Sequence, residues 1–445
     1  MSQSSPVYLL LLFLLFSCNT ERHFTRHLDR AVRTSPVFSR AFTGFTLLDP
    51  ATGRTLCDWN GDHCFIPASN MKVFTLYACL KVLGDSVPGF QYNDDASLNI
   101  FGTGDPTFLH PKFQYWQRGF SFLKNHPTPE IYWTPNRDGW QRFGPGWAWD
   151  DVDEDYSPEM SDWPLYANVR RIFAPTEGVL SIEPSFFRRE DFFADSLSTP
   201  SNQIGIERYS NAIRYNPKNA WEKNFEQWVP IRSVTTETRA MLADTLKKHV
   251  IQLVETSTAQ DWSKSVARKT FYSTPLDTVL RRMMYQSDNF IADQMLLVCA
   301  GKKFDLMQPD TLIRWMLKDP LYDLPQRPRW VDGSGLSRYN LASPRDLSVI
   351  LLHLWREQPR ERLFSLFPAG GVSGTLSDWY GSEDGKPYVF AKTGSMSGVH
   401  CLSGYVVCKS GKTLIFSFMH NNFVGSSKAW KVEMQRILKE IAAGR

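Results

Sequence analysis

Apolar and polar positions divide the chain into two well-patterned ends and a less regular middle. Ala41 to Leu48 reads as a strand. Asp49-Pro50-Ala51-Thr52-Gly53 supplies a turn, and Thr55 to Trp59 is a second strand, so a β-hairpin is predicted. From about Ser69 to Leu83 the residues are apolar nearly all round and the run stops at Gly84. A helix hydrophobic on every side belongs in the middle of a domain, and at about 1.5 Å per residue this one spans roughly 22 Å. Helical period returns over Thr236 to Glu255, and a second helix begins at Thr274-Pro275-Leu276-Asp277, with Thr274 as N-cap and Pro275 in the first turn, ending near Gln286. Phe290 to Ala300 predicts another helix, closed by Gly301, and Pro344 to Trp355 a further one. Pro387 to Ala391, His400 to Cys408 and Thr413 to His420 read as a β-meander. The last helix carries Trp430, Met434, Ile437, Leu438 and Ile441 on one stripe, which would lie on that sheet.

Between about Pro88 and Thr235 the pattern loosens. A short strand, Ser97 to Phe101, leads into Gly102-Thr103-Gly104-Asp105-Pro106-Thr107, which lacks the following helix and basic residue of a phosphate loop. Eight of the 15 tryptophans fall here, a concentration that suits a core more often than a sugar-stacking surface. The acidic run Asp150 to Asp155 reads as a solvated loop.

At 445 residues the chain is too long for one core, so two or three lobes are expected. A net charge of +4 is small for this length and argues against a nucleic-acid surface. The nine histidines are scattered and no CxxC or HExxH occurs, so neither a metal site nor a cofactor is expected. Tyr8 to Phe16 is apolar but too short to span a bilayer, and suits the core of an export signal. Ser17-Cys18 after it resembles a bacterial lipoprotein processing site, which would leave Cys18 lipidated. A plain secretory signal or an uncleaved anchor is the other reading. In an oxidising compartment Cys57 and Cys64, flanking a polar turn, are compatible with a bridge. Cys79 and Cys299 sit in apolar helical contexts, as small core residues do. Cys401 and Cys408, seven apart on one strand, point to opposite faces.

Chemistry enters at the head of the first apolar helix. Ser69 and Lys72, three apart, share one helix face. Burial disfavours the ammonium form, and bringing a Lys to about pH 7 takes roughly 4–5 kcal/mol of environment. Such a Lys can serve as base to the serine without any histidine. Ser287-Asp288-Asn289 lies in the loop between two helices, and Lys392-Thr393-Gly394 at the end of a strand. Each motif alone is close to noise, but the three in this order, each in its expected context, are not.

This ordered set resembles the penicillin-binding proteins and class A β-lactamases. The gap from Ser69 to Ser287, 287 − 69 = 218 residues, is much longer than in the compact members. It is similar to the class C penicillin-binding proteins, the D-alanyl-D-alanine carboxypeptidase/endopeptidase family (peptidase S13, DacB or penicillin-binding protein 4 type). Gly102 to Thr107, Gly144 to Asp151 with Tyr156-Ser157, Asp332 to Arg338, Gly374-Thr375-Leu376 and Leu402-Ser403-Gly404-Tyr405 extend the likeness over most of the chain. Ser395 stands where Thr often follows Lys-Thr-Gly, a change that keeps the hydroxyl.

The resemblance implies an α/β (α+β) chain of the penicillin-binding protein and β-lactamase-like serine transpeptidase fold. An antiparallel five-stranded sheet would be flanked by helices, with a β-rich insertion between the first and second motifs, short for the family. The expected division is a signal at 1–18, a peptidase body at 19–87 and 236–445, and an inserted lobe at 88–235. Ser69 would attack an acyl carbonyl with Lys72 as base, and Ser287 would relay a proton to the leaving amine. Asn289 would hold the substrate amide and the Lys72 amine. Lys392 would depress the Lys72 pKa and attract a substrate carboxylate that Thr393 also binds. Gly394 would let the substrate backbone lie on the strand edge, and the amides of Ser69 and Ser395 would form an oxyanion hole. By the same likeness Asp151 meets the amine of a diamino acid and Arg338 a carboxylate, a loop ion pair being the alternative for each. The implied partners are peptidoglycan stem peptides, β-lactams as covalent inhibitors, and a membrane through the lipid. A β-lactamase or esterase on the same fold, and a non-catalytic penicillin sensor or wall-binding lipoprotein, remain open alternatives.

Overall fold

The structure, a computed structural model, describes residues 23–95, 97–136, 140–187, 192–195, 204–206, 210–218, 221–253 and 267–444. Residues 1–18, expected to be an export signal ending at Cys18, lie outside the described residues. Two strands from the front of the chain, β1 (Phe42–Asp49) and β2 (Arg54–Trp59), join three from its end, β3 (Val389–Met396), β4 (Val399–Val407) and β5 (Thr413–Asn421). They make one antiparallel sheet of order β3-β4-β5-β1-β2, so the predicted hairpin and meander are its two halves.

The sheet separates two cores because its side chains alternate. On β5, Leu414, Phe416 and Phe418 face a core shared with Trp430, Met434, Ile437, Leu438 and Ile441 of the terminal helix, Lys428–Ala443. Ile415 and the β4 residue Tyr405 face the larger helical core. Each such large side chain, fully buried, contributes about 1.5–3 kcal/mol. In that larger core lie α1 (Met71–Val82), α2 (Leu276–Tyr285), α3 (Asn289–Phe304) and α4 (Pro344–Glu357). Every residue of α1 from Met71 to Cys79 is buried, which is what its all-round apolar sequence requires. It runs between α3 and α4, so its first turn is fixed from both sides.

The inserted lobe has a mixed five-stranded sheet, ordered His249–Gln252, Glu130–Thr134, Leu98–Gly102, Ser86–Asn93 and Lys269–Pro275. Two three-stranded sheets beyond it share a small core of Ile172, Ile204, Ile213 and Val229. The boundary expected at 235 is therefore too early. The helix Val234–Leu246 packs into the inserted lobe's core, and strands 249–252 and 269–275 pair with 130–133 and 86–92. The peptidase body resumes at α2. The helix expected to reach Glu255 ends at Leu246, because a strand paired more than a hundred residues away leaves no local mark; residues 254 and 255 lie outside the described residues.

Smaller expectations shift as well. Pro275, not Thr274, occupies the N-cap of α2, and the Thr274 hydroxyl donates to Thr107 Oγ1 at 2.9 Å. The α3 helix passes through Gly301 and ends at Asp305, whose left-handed φ of 51° closes it. Cys57 is buried, Cys64 is exposed, and both are free thiols. The Cys57 sulfur faces Asp29 at 3.8 Å, so the bridge left open by the sequence is not made. Cys79 and Cys299 are both core residues. Cys401 and Cys408 lie in different cores, on opposite sides of the sheet.

Two sets of hydrogen bonds seat the inserted lobe on the body. The α3 residue Gln294 donates to the carbonyls of Gly104 and Ser161, both at 2.8 Å, and accepts from the Ser161 amide. The Gly102 to Thr107 loop is thus a docking loop. Trp147 Nε1 donates to Asp332 Oδ2 at 2.9 Å, and the Ser337 hydroxyl to the Pro145 carbonyl at 2.7 Å. These tie the Gly144–Asp151 segment to the loop Asp332–Arg338.

Candidate active site

Ser69 sits in the single 3-10 turn Ala68–Asn70 that opens α1, after Ala68 with a left-handed φ of 47°. An alanine in this region is costly and persists where surrounding contacts impose it. Gly335, itself at φ +83°, lies so close to the Ala68 carbonyl that a Cβ would collide with it. From the other side Gly394 of β3 leaves no room for a Cβ against the Pro67 carbonyl. The turn bearing Ser69 is thereby held between the Asp332–Arg338 loop and β3, with the Ser69 and Ser395 backbones on facing segments.

Lys72, fully buried one turn along, donates to Ser69 Oγ at 3.0 Å, Asn289 Oδ1 at 2.6 Å and the Ser334 carbonyl at 2.7 Å. Asn289 begins α3, whose N-cap Asp288 accepts from the Ile291 amide at 3.1 Å and pairs with Arg282. Ser287 before it has a left-handed φ of 55°, which turns its hydroxyl toward β3. There Lys392, also fully buried, donates to Ser287 Oγ at 2.9 Å and to the Thr393 carbonyl at 2.8 Å. The three motifs, spread over more than 300 residues, converge on one cleft.

Burial brings the Lys72 amine down to about 8, against the pull of Asp293, Asp332 and Asp288. Burial, and then the charge of Lys72, push Lys392 well below the usual lysine range. Desolvation is the main cause at each amine, and the repulsion between the two ammonium groups is mutual, so each disfavours protonation of the other. Two buried amines that resist double protonation, one of them 3.0 Å from a serine hydroxyl, suit proton removal from that hydroxyl.

On the cleft rim, Thr393 donates to the Thr375 hydroxyl at 2.9 Å, and the exposed Ser395 meets His400 Nδ1 at 2.8 Å. Burial lowers His400 to about 3, so it is a neutral partner. Asp151 accepts from the Tyr156 hydroxyl at 2.8 Å, and the Tyr156 carbonyl accepts from Asn289 Nδ2 at 3.1 Å. One tyrosine therefore links Asp151 to the second motif. Arg338, exposed, reaches the Ser397 carbonyl at 3.5 Å, beside the third motif. Neither Asp151 nor Arg338 forms an ion pair among those seen in the described residues. A cavity of about 350 Å³ adjoins Ser287 and Asn289 on the inserted-lobe side, lined also by Lys112, Asp155, Tyr156 and Trp228.

Three participants escaped the sequence reading. The Ser334 carbonyl is a backbone atom, and nothing in a side-chain pattern announces it. Asp293 left a signal, an acid that with Gln294 interrupts the apolar run Phe290 to Ala300. His400 left none, since strand alternation alone does not say which neighbour it meets.

A serine beside a buried lysine, with a second serine–lysine pair across the cleft, defines a serine hydrolase working through an acyl-enzyme. The family model of the D-Ala-D-Ala carboxypeptidase 3 (S13) family matches residues 24–178 and 217–442, and the chain belongs to that family. It is a serine-type D-Ala-D-Ala carboxypeptidase of the penicillin-binding class. Among curated relatives, D-alanyl-D-alanine carboxypeptidase DacB of Haemophilus influenzae is 26% identical over 85% of each chain. Penicillin-sensitive carboxypeptidase A of Dictyostelium discoideum is 36% identical over 81% of this chain and 78% of its own. The solved structure of penicillin binding protein 4 from Haemophilus influenzae superposes with a TM-score of 0.72 at 20% identity, covering 94% of this chain and 99% of that one. Its complex with a novel β-lactam gives 0.67 at 19% identity and the same coverage.

Proposed function

We propose that Ser69 is the acylated nucleophile and Lys72 its base, in cleavage of D-Ala–D-Ala termini and of D-Ala–diamino acid cross-links in peptidoglycan stem peptides. The observation that carries this reading is the 3.0 Å contact between the Ser69 hydroxyl and a buried lysine amine lowered to about 8. Lys72 takes the Ser69 proton as Oγ bonds to the acyl carbon. The oxyanion is held by the amides of Ser69 and Ser395. Ser287, backed by Lys392, passes a proton to the departing amine, and a water deacylates the serine by the reverse route. Lys392, Thr393 and Ser395 receive the terminal carboxylate, while Gly394 keeps the strand edge clear for the substrate backbone. Asp151 contacts the amine of the diamino acid, and Arg338 a substrate carboxylate. The inserted lobe and the cavity beside Asn289 supply room for a second stem peptide, which supports endopeptidase action beside carboxypeptidase action.

Work on peptidoglycan requires export. The apolar run before Cys18 supports delivery as a lipid-anchored protein outside the cytoplasmic membrane of a bacterium. No helix among the described residues is long and apolar enough to cross a membrane. β-Lactams would acylate the same serine. Covalent labelling by a fluorescent penicillin is expected for the native chain and absent from Ser69→Ala, and labelling that survives the substitution would sink the assignment. Mass spectrometry of digested sacculi is expected to find released D-Ala together with separated monomers.

A further inference from the structure

An ammonium has three N–H donors, and in this structure all three directions around Lys72 Nζ are filled by Ser69 Oγ, Asn289 Oδ1 and the Ser334 carbonyl. A neutral amine has only two donors and a lone pair. For that lone pair to face Ser69, both N–H groups must go to Asn289 and Ser334. The Ser334 carbonyl is therefore half of what aims the base, and the structure shows what holds it. Asp293 Oδ1 accepts from the Gly333 amide at 2.7 Å and the Ser334 amide at 3.1 Å. The Gly333 carbonyl accepts from Thr75 Oγ1 at 2.7 Å, on α1 just beyond Lys72. Gly333 lies so flat on α3 that a Cβ would strike the Ala292 carbonyl.

We propose, building on the reading of Lys72 as base, that Asp293 is a positioning residue for acylation. It clamps the Gly333–Ser334 turn so that the neutral Lys72 amine keeps its lone pair on the Ser69 hydroxyl. Asn289 and Asp293, one turn apart on α3, then direct the same amine, one by direct contact and the other through a peptide unit. The clamp needs an acceptor oxygen and not a charge. Asp293 is buried, its Oδ2 has no hydrogen-bond partner among the described residues, and burial beside Asp332 raises its carboxyl to about 8. Asparagine keeps the acceptor in place, whereas leucine keeps the bulk and removes it.

The test is the acylation of the full chain by a fluorescent penicillin. The first-order acylation constant is separated from the non-covalent binding constant and followed against pH. Asp293→Asn is expected to retain at least about a third of the native constant, and Asp293→Leu to lose about 100-fold with binding changed less than about threefold, the scale of a misplaced catalytic group. The groups facing Lys72 are Lys392 from β3, Asp288 and Asp293 from the start of α3, and Asp332 from the loop. Asp293 pulls the Lys72 pKa upward, so Asp293→Asn is expected to move the acid limb of the profile toward lower pH while the plateau constant is kept. Native-rate acylation by Asp293→Leu overturns the proposal. So does an Asp293→Asn variant as slow as the leucine one, which would make charge the cause. Should Asp293→Leu not fold, Thr75→Val reads the other end of the clamp. A drop of about tenfold in the acylation constant with binding unchanged supports it, and the native rate overturns it. A Lys72→Ala variant that acylates normally would instead remove the underlying reading of the base.

Discussion

Lys72 carries a cost in stability that its chemistry requires. Burial holds its amine at about 8 in the folded chain against the ordinary lysine value of 10.5, so between those values the unfolded chain binds more protons. The sign follows. The penalty is present in full below about pH 8 and is relieved as pH rises toward 10.5, and at neutral pH it is about 3 kcal/mol for a fully buried group. In the proposed role of Lys72 as base, the same depression makes the neutral amine available. Acylation by penicillin is expected to rise about tenfold per pH unit on the acid side and to level off above about pH 8, in a stopped-flow profile from pH 5.5 to 9.5. A flat profile over that range would mean that another group removes the serine proton. At His400 the expectation is the reverse. It stays neutral down to about 3, so the contact to Ser395 adds no ionisation to that window.

Elements place these groups by close backbone approach more than by side-chain packing. The 3-10 turn bearing Ser69 is pressed between Gly335 and Gly394, neither of which has space for a methyl group. Gly335→Ala must both adopt a positive φ and displace the Ala68 carbonyl. A folded variant is expected to acylate at least about 100-fold more slowly, with thermal stability lowered, measured by penicillin labelling and calorimetry. At the start of α3 the Asp288 side chain caps the helix that presents Asn289. Asp288→Ala is expected to cost about 1 kcal/mol by denaturant unfolding and also to loosen the Asn289–Lys72 contact. Unchanged stability would show that the packing of α3 sets its start without the cap.

Across the whole molecule, the inserted lobe takes part in building the cleft. Its Trp147 and Pro145 bind the Asp332–Arg338 loop, its Tyr156 binds Asn289, and its Gly104 and Ser161 are held by Gln294 of α3. Trp147→Phe removes one donor to Asp332, while the amides of Gly335 and Ser337 and the Asn340 side chain remain. A loss of about 1.5–3 kcal/mol is expected for a hydrogen bond to a carboxylate. Slower acylation should accompany it, because the loop that carries Ser334 loses a tether. Stability reduced with acylation intact would show that the lobe steadies the fold without shaping the base.

Much of the body could be read along the chain. The apolar run of α1, the β1–β2 hairpin, the meander and the stripe on the last helix repeat at the period of their own secondary structure, and short-range sterics and solvation fix that period. The Ser-Xaa-Xaa-Lys, Ser-Asp-Asn and Lys-Thr-Gly triplets likewise display their chemistry in adjacent residues. The end of the inserted lobe could not be read this way, because strands 249–252 and 269–275 are defined by partners far away in sequence. Nor could the aim of Lys72. The sequence by itself determined which groups are chemically able to act, since that depends on residue type and local spacing. Only the tertiary structure decided how they act. Burial sets the Lys72 proton affinity, and the acceptors of the neutral amine come from α3 and from a backbone carbonyl held by Asp293. The free energies of desolvation and hydrogen-bond geometry belong to that assembled environment and to no stretch of chain alone.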